Sequence, residues 1–304
     1  IAYKNLRKVL FPYPEAWPQN RFDYEVARLR ALRLCADENE IIKPWNHVGT
    51  RLCAVFFPNR YLATRKGSAS AFDAWHDERE LRRAISFQIR HGDPTTPGRV
   101  LRAITLRCRT PTVFRPSVAK FIYENFCPSG GTVWDPCAGY GGRLLGAHVA
   151  GVHYIGTDAD HETVEGNRRL AEALGARCEL FTARAENFDP GAVDLVFTSP
   201  PYFDRERYSQ NENQSWQRYE SFEKWLAGFL QPLIGRAHAV LNKRGFLVLN
   251  IADLKERGGV VPVVSRTVEA ALVAGFLHVK TLQMPLAAIN RKTPTEPVLV
   301  FQKN

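Results

Sequence analysis

The chain has 304 residues, of which 45% are hydrophobic and 24% are charged, fractions typical of a globular protein. This composition excludes a largely disordered or fibrous chain, and the length predicts about two domains. No apolar run approaches the ~18 residues that a membrane span requires, so we expect a cytoplasmic protein that does not enter a membrane.

The positive charge is concentrated in the first third of the chain. The whole sequence has 41 basic and 31 acidic residues. Residues 1–110 contain 20 of the basic and 11 of the acidic residues, whereas the remaining chain contains 21 basic and 20 acidic residues. A basic surface gains affinity for a phosphate backbone by releasing counterions, which favours a nucleic-acid partner. A solvated, arginine-rich helical region without a partner is the alternative.

The six cysteines form no C-x-x-C pair, and the eight histidines form no spaced set. We therefore expect reduced thiols and no metal site.

The first 110 residues lack regular alternation of strands and helices. Apolar spacing predicts helices over 21–36, over 74–90 with Asp73 as the cap, and over 99–106, while residues 51–58 are ambiguous between strand and buried helix. We expect a basic, mainly helical N-terminal region at 1–110 and a second domain at 111–304.

From about residue 110, helices and strands alternate. The pattern predicts helices over 116–126, 142–150, 161–174, 222–241 and 261–273, and strands over 131–135, 153–157, 178–181, 193–197, 245–251, 277–282 and 297–302. Such alternation specifies an α/β fold with a mostly parallel seven-stranded sheet. The last two strands are joined without a helix, which implies an antiparallel edge.

The first strand of this sheet ends in a glycine turn, Asp135-Pro-Cys-Ala-Gly-Tyr-Gly-Gly142, and the second ends in Asp158. A tight turn lets the backbone approach a ligand, and an acid after the second strand suits ribose hydroxyls. A dinucleotide site would need a small residue where Leu144 stands. The acid at 135 would face a pyrophosphate unfavourably but would attract the ammonium group of S-adenosylmethionine. A sharp turn without a ligand is the alternative.

The fourth strand is followed by Ser199-Pro200-Pro201-Tyr202. An exocyclic amine conjugated with an aromatic ring is a poor nucleophile because its lone pair is delocalised. A side-chain oxygen and a main-chain carbonyl that accept both amine hydrogens would draw the nitrogen toward tetrahedral geometry. The prolines stiffen the loop, and Tyr202 can stack on the base. A proline-rich turn with a packed tyrosine is the alternative reading.

With these motifs, residues 114–304 resemble the S-adenosylmethionine-dependent amino-methyltransferases of DNA, the class that acts on cytosine N4 or adenine N6. The resemblance covers about two thirds of the chain and implies a Rossmann-like class I methyltransferase fold. Serine at the first position of the tetrapeptide is typical of the cytosine N4 enzymes. The resemblance implies S-adenosylmethionine as the cofactor and the tetrapeptide as the catalytic residues. The implied cofactor-binding residues are Phe114, Arg115, Pro116, Ser117, Asp135, Pro136, Cys137, Gly139, Gly141, Asp158, Ala159, Ala185 and Glu186.

One departure concerns the contact to the cofactor's adenine. The family often places an acid after the third strand, where this chain has Thr-Ala-Arg before Ala185 and Glu186. Either Glu186 or the backbone of Ala185 is expected to replace that acid.

Recognition of the substrate is expected outside the methyltransferase core, because only 198 − 142 = 56 residues separate the two motifs. This leaves residues 1–110 and the segment after the tetrapeptide. The predicted substrate-binding residues of that segment are Phe203, Arg205, Arg207, Tyr208 and Arg218.

The sequence thus predicts a DNA methyltransferase acting on cytosine N4, of bacterial or phage origin by its resemblance. Adenine N6, RNA, a protein glutamine amide, a donor other than unmodified S-adenosylmethionine, and a non-catalytic nucleic-acid-binding protein are the alternatives.

Overall fold

The computed structural model describes residues 2–203, 206–208, 212–256, 259–286 and 293–304. Its centre is a seven-stranded sheet with helices on both faces. In chain order the strands are β1 (Thr132–Asp135), β2 (His153–Asp158), β3 (Cys178–Thr182), β4 (Val193–Thr198), β5 (Leu241–Asn250), β6 (Phe276–Pro285) and β7 (Thr295–Lys303).

The strands lie in the order β6-β7-β5-β4-β1-β2-β3. The pairs from β5 through β3 are parallel, whereas β7 pairs antiparallel with both β5 and β6. The predicted α/β fold, with a mostly parallel seven-stranded sheet and an antiparallel hairpin at one edge, is confirmed. From β1 the chain adds β2 and β3 on one side, and then β4 and β5 on the other, so the order of strands reverses between β1 and β4. In open α/β sheets, ligands bind in the crevice beside the carboxyl ends of the two strands at such a reversal.

Thirteen α-helices are described within these ranges. They are α1 (Ala2–Leu6), α2 (Gln19–Ala31), α3 (Thr50–Ala54), α4 (Ala71–His76), α5 (Glu78–Arg90), α6 (Pro97–Cys108), α7 (Pro116–Phe126), α8 (Gly142–Ala150), α9 (His161–Leu174), α10 (Ser215–Arg218), α11 (Phe222–Trp225), α12 (Gln231–Val240) and α13 (Val263–Val273). Short 3-10 turns occupy Pro58–Tyr61 and Ala185–Asn187, and a π-helical stretch, Leu226–Leu230, joins α11 to α12.

Three antiparallel two-stranded ribbons were not predicted. They pair Cys35–Ala36 with Ile42–Lys43, Leu254–Glu256 with Gly259–Val261, and Thr64–Arg65 with Glu206–Arg207. The third ribbon connects the N-terminal region to the segment that follows the tetrapeptide.

Side chains alternate between two cores, one on each face of the sheet. Val133 and Leu195 face the core that contains α7 to α9, whereas Trp134 and Val196 face the core that contains α11 to α13. This period of two is what buries both faces of a parallel sheet.

The N-terminal region contributes to two different cores. Apolar side chains of α2 and α3, including Val26, Leu29 and Leu52, are part of the main core beside α7 to α9. Helices α4 to α6 instead form a satellite core around Trp75, together with Leu6. The predicted domain boundary near residue 110 therefore does not coincide with a boundary in packing.

Two predicted helices are wrong in their extent. The helix predicted over 21–36 ends at Ala31, and Cys35–Ala36 form a strand. The helix predicted over 74–90 is two helices, α4 and α5. The chain is extended at Asp77 (φ −79°, ψ 121°), and this residue ends α4 and caps α5 by accepting a hydrogen bond from the Glu80 N–H at 2.8 Å. Ser70, not Asp73, caps α4, because its hydroxyl accepts from the Asp73 N–H at 3.0 Å.

Candidate active site

The glycine turn after β1 packs directly against the segment before α7. Gly141 has a left-handed backbone (φ +75°), and a Cβ at Gly142 would lie 1.9 Å from the carbonyl oxygen of Phe114. No residue with a side chain fits at position 142 unless the backbone moves. The turn is therefore fixed in shape before any ligand binds.

Asp135 stabilises this turn through buried hydrogen bonds, and it does not line the cavity beside the turn. Its carboxylate is fully buried and accepts from Arg143 Nε at 2.7 Å, from the Tyr154 hydroxyl at 2.7 Å, from the Thr198 hydroxyl at 2.8 Å and from the Cys137 N–H at 3.3 Å. All of its acceptor capacity is used by the protein. The geometry does not place this carboxylate against a cofactor ammonium group, contrary to our expectation.

Asp158 faces the cavity at the end of β2. It accepts backbone hydrogen bonds from Gly139 and Asp160, both at 3.0 Å, and burial raises the pKa of Asp158 to about 6. Each carboxylate oxygen keeps acceptor capacity for a ligand. A ligand that donates hydroxyl groups here would relieve the desolvation that raises this pKa.

Ser199 and Tyr202 are held by Asn250, which ends β5 and is 2% exposed. The Asn250 Nδ2 group donates to the Pro297 carbonyl at 3.0 Å, which directs Oδ1 toward the Ser199 Oγ, 3.4 Å away. Since Oδ1 can only accept, the serine donates its proton to Asn250 and keeps its lone pairs for a substrate. The Tyr202 hydroxyl donates to the Asn250 main-chain oxygen at 3.2 Å.

One cavity of about 610 Å³ joins the tetrapeptide to the end of β2, a volume within the range of small-molecule sites. It is lined by all four tetrapeptide residues and by many of the predicted cofactor residues. Those that line it are Phe114, Arg115, Pro136, Cys137, Gly139, Asp158, Ala159, Ala185 and Glu186, whereas Pro116, Ser117, Asp135 and Gly141 do not.

Arg115 is buried, and its guanidinium donates to the Pro285 carbonyl. Burial lowers the pKa of Arg115 to about 10, so the side chain stays positively charged at neutral pH. It lines the cavity at the start of α7.

Of the predicted substrate-binding residues, Tyr208 and Arg218 line the cavity, and Phe203 and Arg207 do not. Arg218 is not a free cation, because it forms an ion pair with the largely buried Glu186. Arg207 lies over the Trp216 ring at 4.5 Å. Arg205 lies outside the described residues.

The N-terminal region supplies a wall of this cavity that the sequence did not predict. Its lining residues are Trp45, His47, Thr50, Arg60, Arg65, Thr105, Leu106, Arg109 and Thr110. Within the described residues, the buried hydroxyl groups of Thr50 and Thr110 have no hydrogen-bond partner. Nothing in the local sequence marks these threonines, since only tertiary packing brings them to the site.

Among the described residues, no helix is long and apolar enough to cross a membrane. In the same part of the chain, no group of three or more His, Cys, Asp or Glu side chains is arranged to hold a metal ion.

Comparison with known proteins finds a family match for the C-terminal part of the chain. Residues 193–304, which include the tetrapeptide and Asn250, match the N6_N4_Mtase family, described as DNA methylase. The resemblance to the N4/N6 amino-methyltransferases is thereby confirmed, and it supports S-adenosylmethionine as the cofactor.

A curated relative is the Type II methyltransferase M.MjaVI of Methanocaldococcus jannaschii, 34% identical over 102 residues. The aligned segment spans 34% of this chain and 50% of the relative, so the chain matches about half of that protein's length.

Solved structures similar to this chain include TrmN from Thermus thermophilus (TM-score 0.45, 18% identity, 62% of this chain and 49% of that one). Another is the magnesium protoporphyrin IX methyltransferase ChlM from Synechocystis PCC 6803 (TM-score 0.44, 13% identity, 62% of this chain and 77% of that one).

Proposed function

We propose that this protein transfers a methyl group from S-adenosylmethionine to an exocyclic amine of DNA, most specifically to cytosine N4. The observation that carries the proposal is the single cavity in which Ser199, oriented by Asn250, opens toward the same space as Asp158. The family match of residues 193–304 supports the reaction class, and the serine at position 199 supports cytosine.

The residues along the cavity fit S-adenosylmethionine. Asp158 would accept the ribose hydroxyls, and the buried cation Arg115 would face the methionine carboxylate. The unpartnered hydroxyl groups of Thr50 and Thr110 offer further hydrogen bonds to bound groups. When bound, the cofactor supplies an electrophilic methyl group on a sulfonium centre.

The chain's own residues would activate the amine by geometry. The Ser199 Oγ accepts one amine hydrogen through a lone pair that the hydrogen bond to Asn250 leaves available, and a main-chain carbonyl of the tetrapeptide accepts the other. Both bonds draw the nitrogen lone pair out of conjugation and toward the methyl donor. After transfer, the nitrogen carries an additional positive charge and loses one hydrogen as a proton to solvent.

Tyr202 is 6% exposed and is fixed by its hydroxyl, so its ring is a rigid surface for stacking the target base. In duplex DNA, the target base must rotate out of the stack to reach this depth, at a cost of a few kcal/mol.

The test is transfer of tritiated methyl groups to unmodified genomic DNA, with total RNA in parallel, followed by digestion and identification of the labelled nucleoside. We expect label in N4-methyldeoxycytidine, and transfer slower by about a hundredfold or more with Ser199→Ala. Label in N6-methyldeoxyadenosine would refute the base assignment, and label confined to RNA would refute the substrate assignment.

A further inference from the structure

We propose that a groove lined by arginines, on the outer surface of α5 and α6, binds the phosphate backbone of duplex DNA. This inference rests on the proposed function and identifies the surface that would hold its substrate. The groove is lined by Arg79, Arg82, Arg83, Ser86, Arg90 and Arg107, all of them exposed.

The arginines form a stripe because of their spacing along α5. Positions 79, 83, 86 and 90 are separated by four, three and four residues, which places them on one face of a helix. From the first to the last of these residues, the helix rises 11 × 1.5 Å, or about 16 Å. One DNA strand carries about five phosphates over that length of duplex.

Two carboxylates hold part of this stripe in place without neutralising it. Glu80 accepts from Arg83 at 2.6 Å and from Arg107 at 3.0 Å, so a single carboxylate links α5 to α6 and fixes both guanidinium groups. Glu78 pairs with Arg82, whose guanidinium also lies 3.8 Å from the centre of the Tyr3 ring. Five guanidinium groups against two carboxylates leave an excess of three positive charges.

Arg79 and Arg90 stand at the two ends of the stripe. In the described ranges, no carboxylate oxygen lies within 4 Å of either guanidinium. The Nε of Arg90 donates to the Ser86 carbonyl at 3.3 Å. Both side chains are therefore available to phosphates.

Guanidinium groups already fixed by neighbours, as those of Arg82, Arg83 and Arg107 are, lose less conformational entropy on binding an anion than free side chains do.

The groove and the active-site cavity both include residues from the C-terminal end of α6. Arg107 lies in the groove, while Leu106 and Arg109, its neighbours at the end of α6, line the cavity. A duplex that contacts the stripe with its backbone would thus pass the cavity into which the target base must rotate. This assignment places part of the charge excess of residues 1–110 in the groove on α5 and α6.

The experiment measures the affinity of the full chain for a fluorescent duplex of unmodified DNA at several salt concentrations. The test variant is Arg79→Gln/Arg83→Gln/Arg90→Gln. The matched control, Arg168→Gln/Arg236→Gln/Arg266→Gln, removes the same charge from α9, α12 and α13. Affinity for S-adenosylmethionine is measured for each protein to verify that the fold is retained.

Each lost phosphate contact should reduce the slope of log K against log salt by about 0.9, so we expect a reduction of up to about 2.7 in the test variant. At 0.15 M salt this corresponds to about a fivefold loss of affinity per contact, or about a hundredfold in total. The control should retain the wild-type slope. The double variant Arg79→Gln/Arg90→Gln, which leaves both ion-paired carboxylates untouched, should show a reduction of about 1.8.

Equal slopes in the test variant and the wild type would overturn the inference, even if the wild-type protein methylates DNA. A slope change seen with single-stranded RNA of the same length and not with duplex DNA would also overturn it. Failure of the proposed function has a different result: the wild type would bind duplex DNA through the stripe but transfer no methyl group.

Discussion

Asn250 is expected to contribute to methyl transfer only through Ser199, and a double-mutant cycle tests this directly. The structure gives Asn250 two side-chain hydrogen bonds, one from Ser199 at 3.4 Å and one to the Pro297 carbonyl at 3.0 Å. In Asn250→Ala the serine loses its acceptor, and its hydroxyl can rotate so that the proton points toward the substrate amine. We therefore predict a slower transfer step with unchanged affinity for the cofactor.

The size of the effect follows from the bond that is lost. One hydrogen bond contributes about 0.5–1.5 kcal/mol net, so freeing the Ser199 hydroxyl should slow transfer by about three- to tenfold. Ser199→Ala removes an acceptor of the amine hydrogen and should cost about a hundredfold or more, by analogy with the loss of one preorganised group in other active sites. Because Asn250 acts through the serine, the double variant should be no slower than Ser199→Ala alone.

The assay is single-turnover methyl transfer with saturating enzyme, on DNA of fixed sequence. Asn242→Ala serves as the matched control, because Asn242 lies on the same strand but its amide donates to Asp194 at 2.8 Å, at the opposite end of β5. Loss of the bond to Pro297 is expected to lower the free energy of unfolding of Asn250→Ala by about 1–3 kcal/mol, so the assay is run well below its Tm. Multiplicative rate losses in the double variant would refute the reasoning.

Other sites give predictions of the same kind. Because the pKa of Asp158 is raised to about 6, its carboxyl group is mainly neutral at pH 5 and ionised at pH 7.5. Affinity for S-adenosylmethionine should therefore rise by up to about tenfold between these pH values. An affinity that does not change with pH would contradict this role of Asp158. The same raised pKa stabilises the ligand-free fold at low pH; this contribution is lost as pH rises from about 4 through 6, and Asp158→Asn should remove that part of the pH dependence of Tm. Gly142→Ala should lose cofactor binding and several kcal/mol of stability, because its Cβ would lie 1.9 Å from a carbonyl oxygen, whereas Gly98→Ala in α6 meets no atom within 4 Å and should be neutral or stabilising in thermal unfolding. Glu186→Gln breaks the ion pair with Arg218, so the KM for DNA should change more than the affinity for S-adenosylmethionine; the opposite pattern would mean that Glu186 mainly binds the cofactor.

Local sequence signals predicted the helices and strands of residues 111–304 well. Helix α9 has its predicted bounds, because the side-chain cap at Asp160 and the left-handed Gly175 that delimit it are local features that need no tertiary contact. Helix α7 has its predicted bounds, with Pro116 in its first turn. The central strands β1, β2 and β4 are buried on both faces, so their apolar runs were recognisable without knowledge of the fold.

Features that depend on long-range packing were not predictable in this way. Burial of Val26 and Leu29 in the main core depends on the position of α7 to α9, which no local pattern in α2 encodes. The apolar spacing continues through Asp77, so the break between α4 and α5 was hidden by periodicity. The extended conformation of Asp77 alone separates the two helices.

The site shows the same division. Asp158, Ser199 and Tyr202 were identified because they follow strands that end at one edge of the sheet. Asp135 follows the same rule, but its partners Arg143 and Tyr154 engage its carboxylate beneath the turn, and this pairing is a property of the folded chain.

The central claim is that one cavity brings a bound methyl donor to a DNA amine held by Ser199. The most direct measurement uses S-adenosylmethionine with a deuterated methyl group and a defined duplex, followed by mass spectrometry of the digested nucleosides for the wild type, Ser199→Ala and Asp158→Ala. We predict deuterated N4-methyldeoxycytidine from the wild type, transfer slower by about a hundredfold or more with intact cofactor binding in Ser199→Ala, and partial rescue of Asp158→Ala by excess cofactor. Wild-type transfer that persists undiminished in Ser199→Ala would contradict the account.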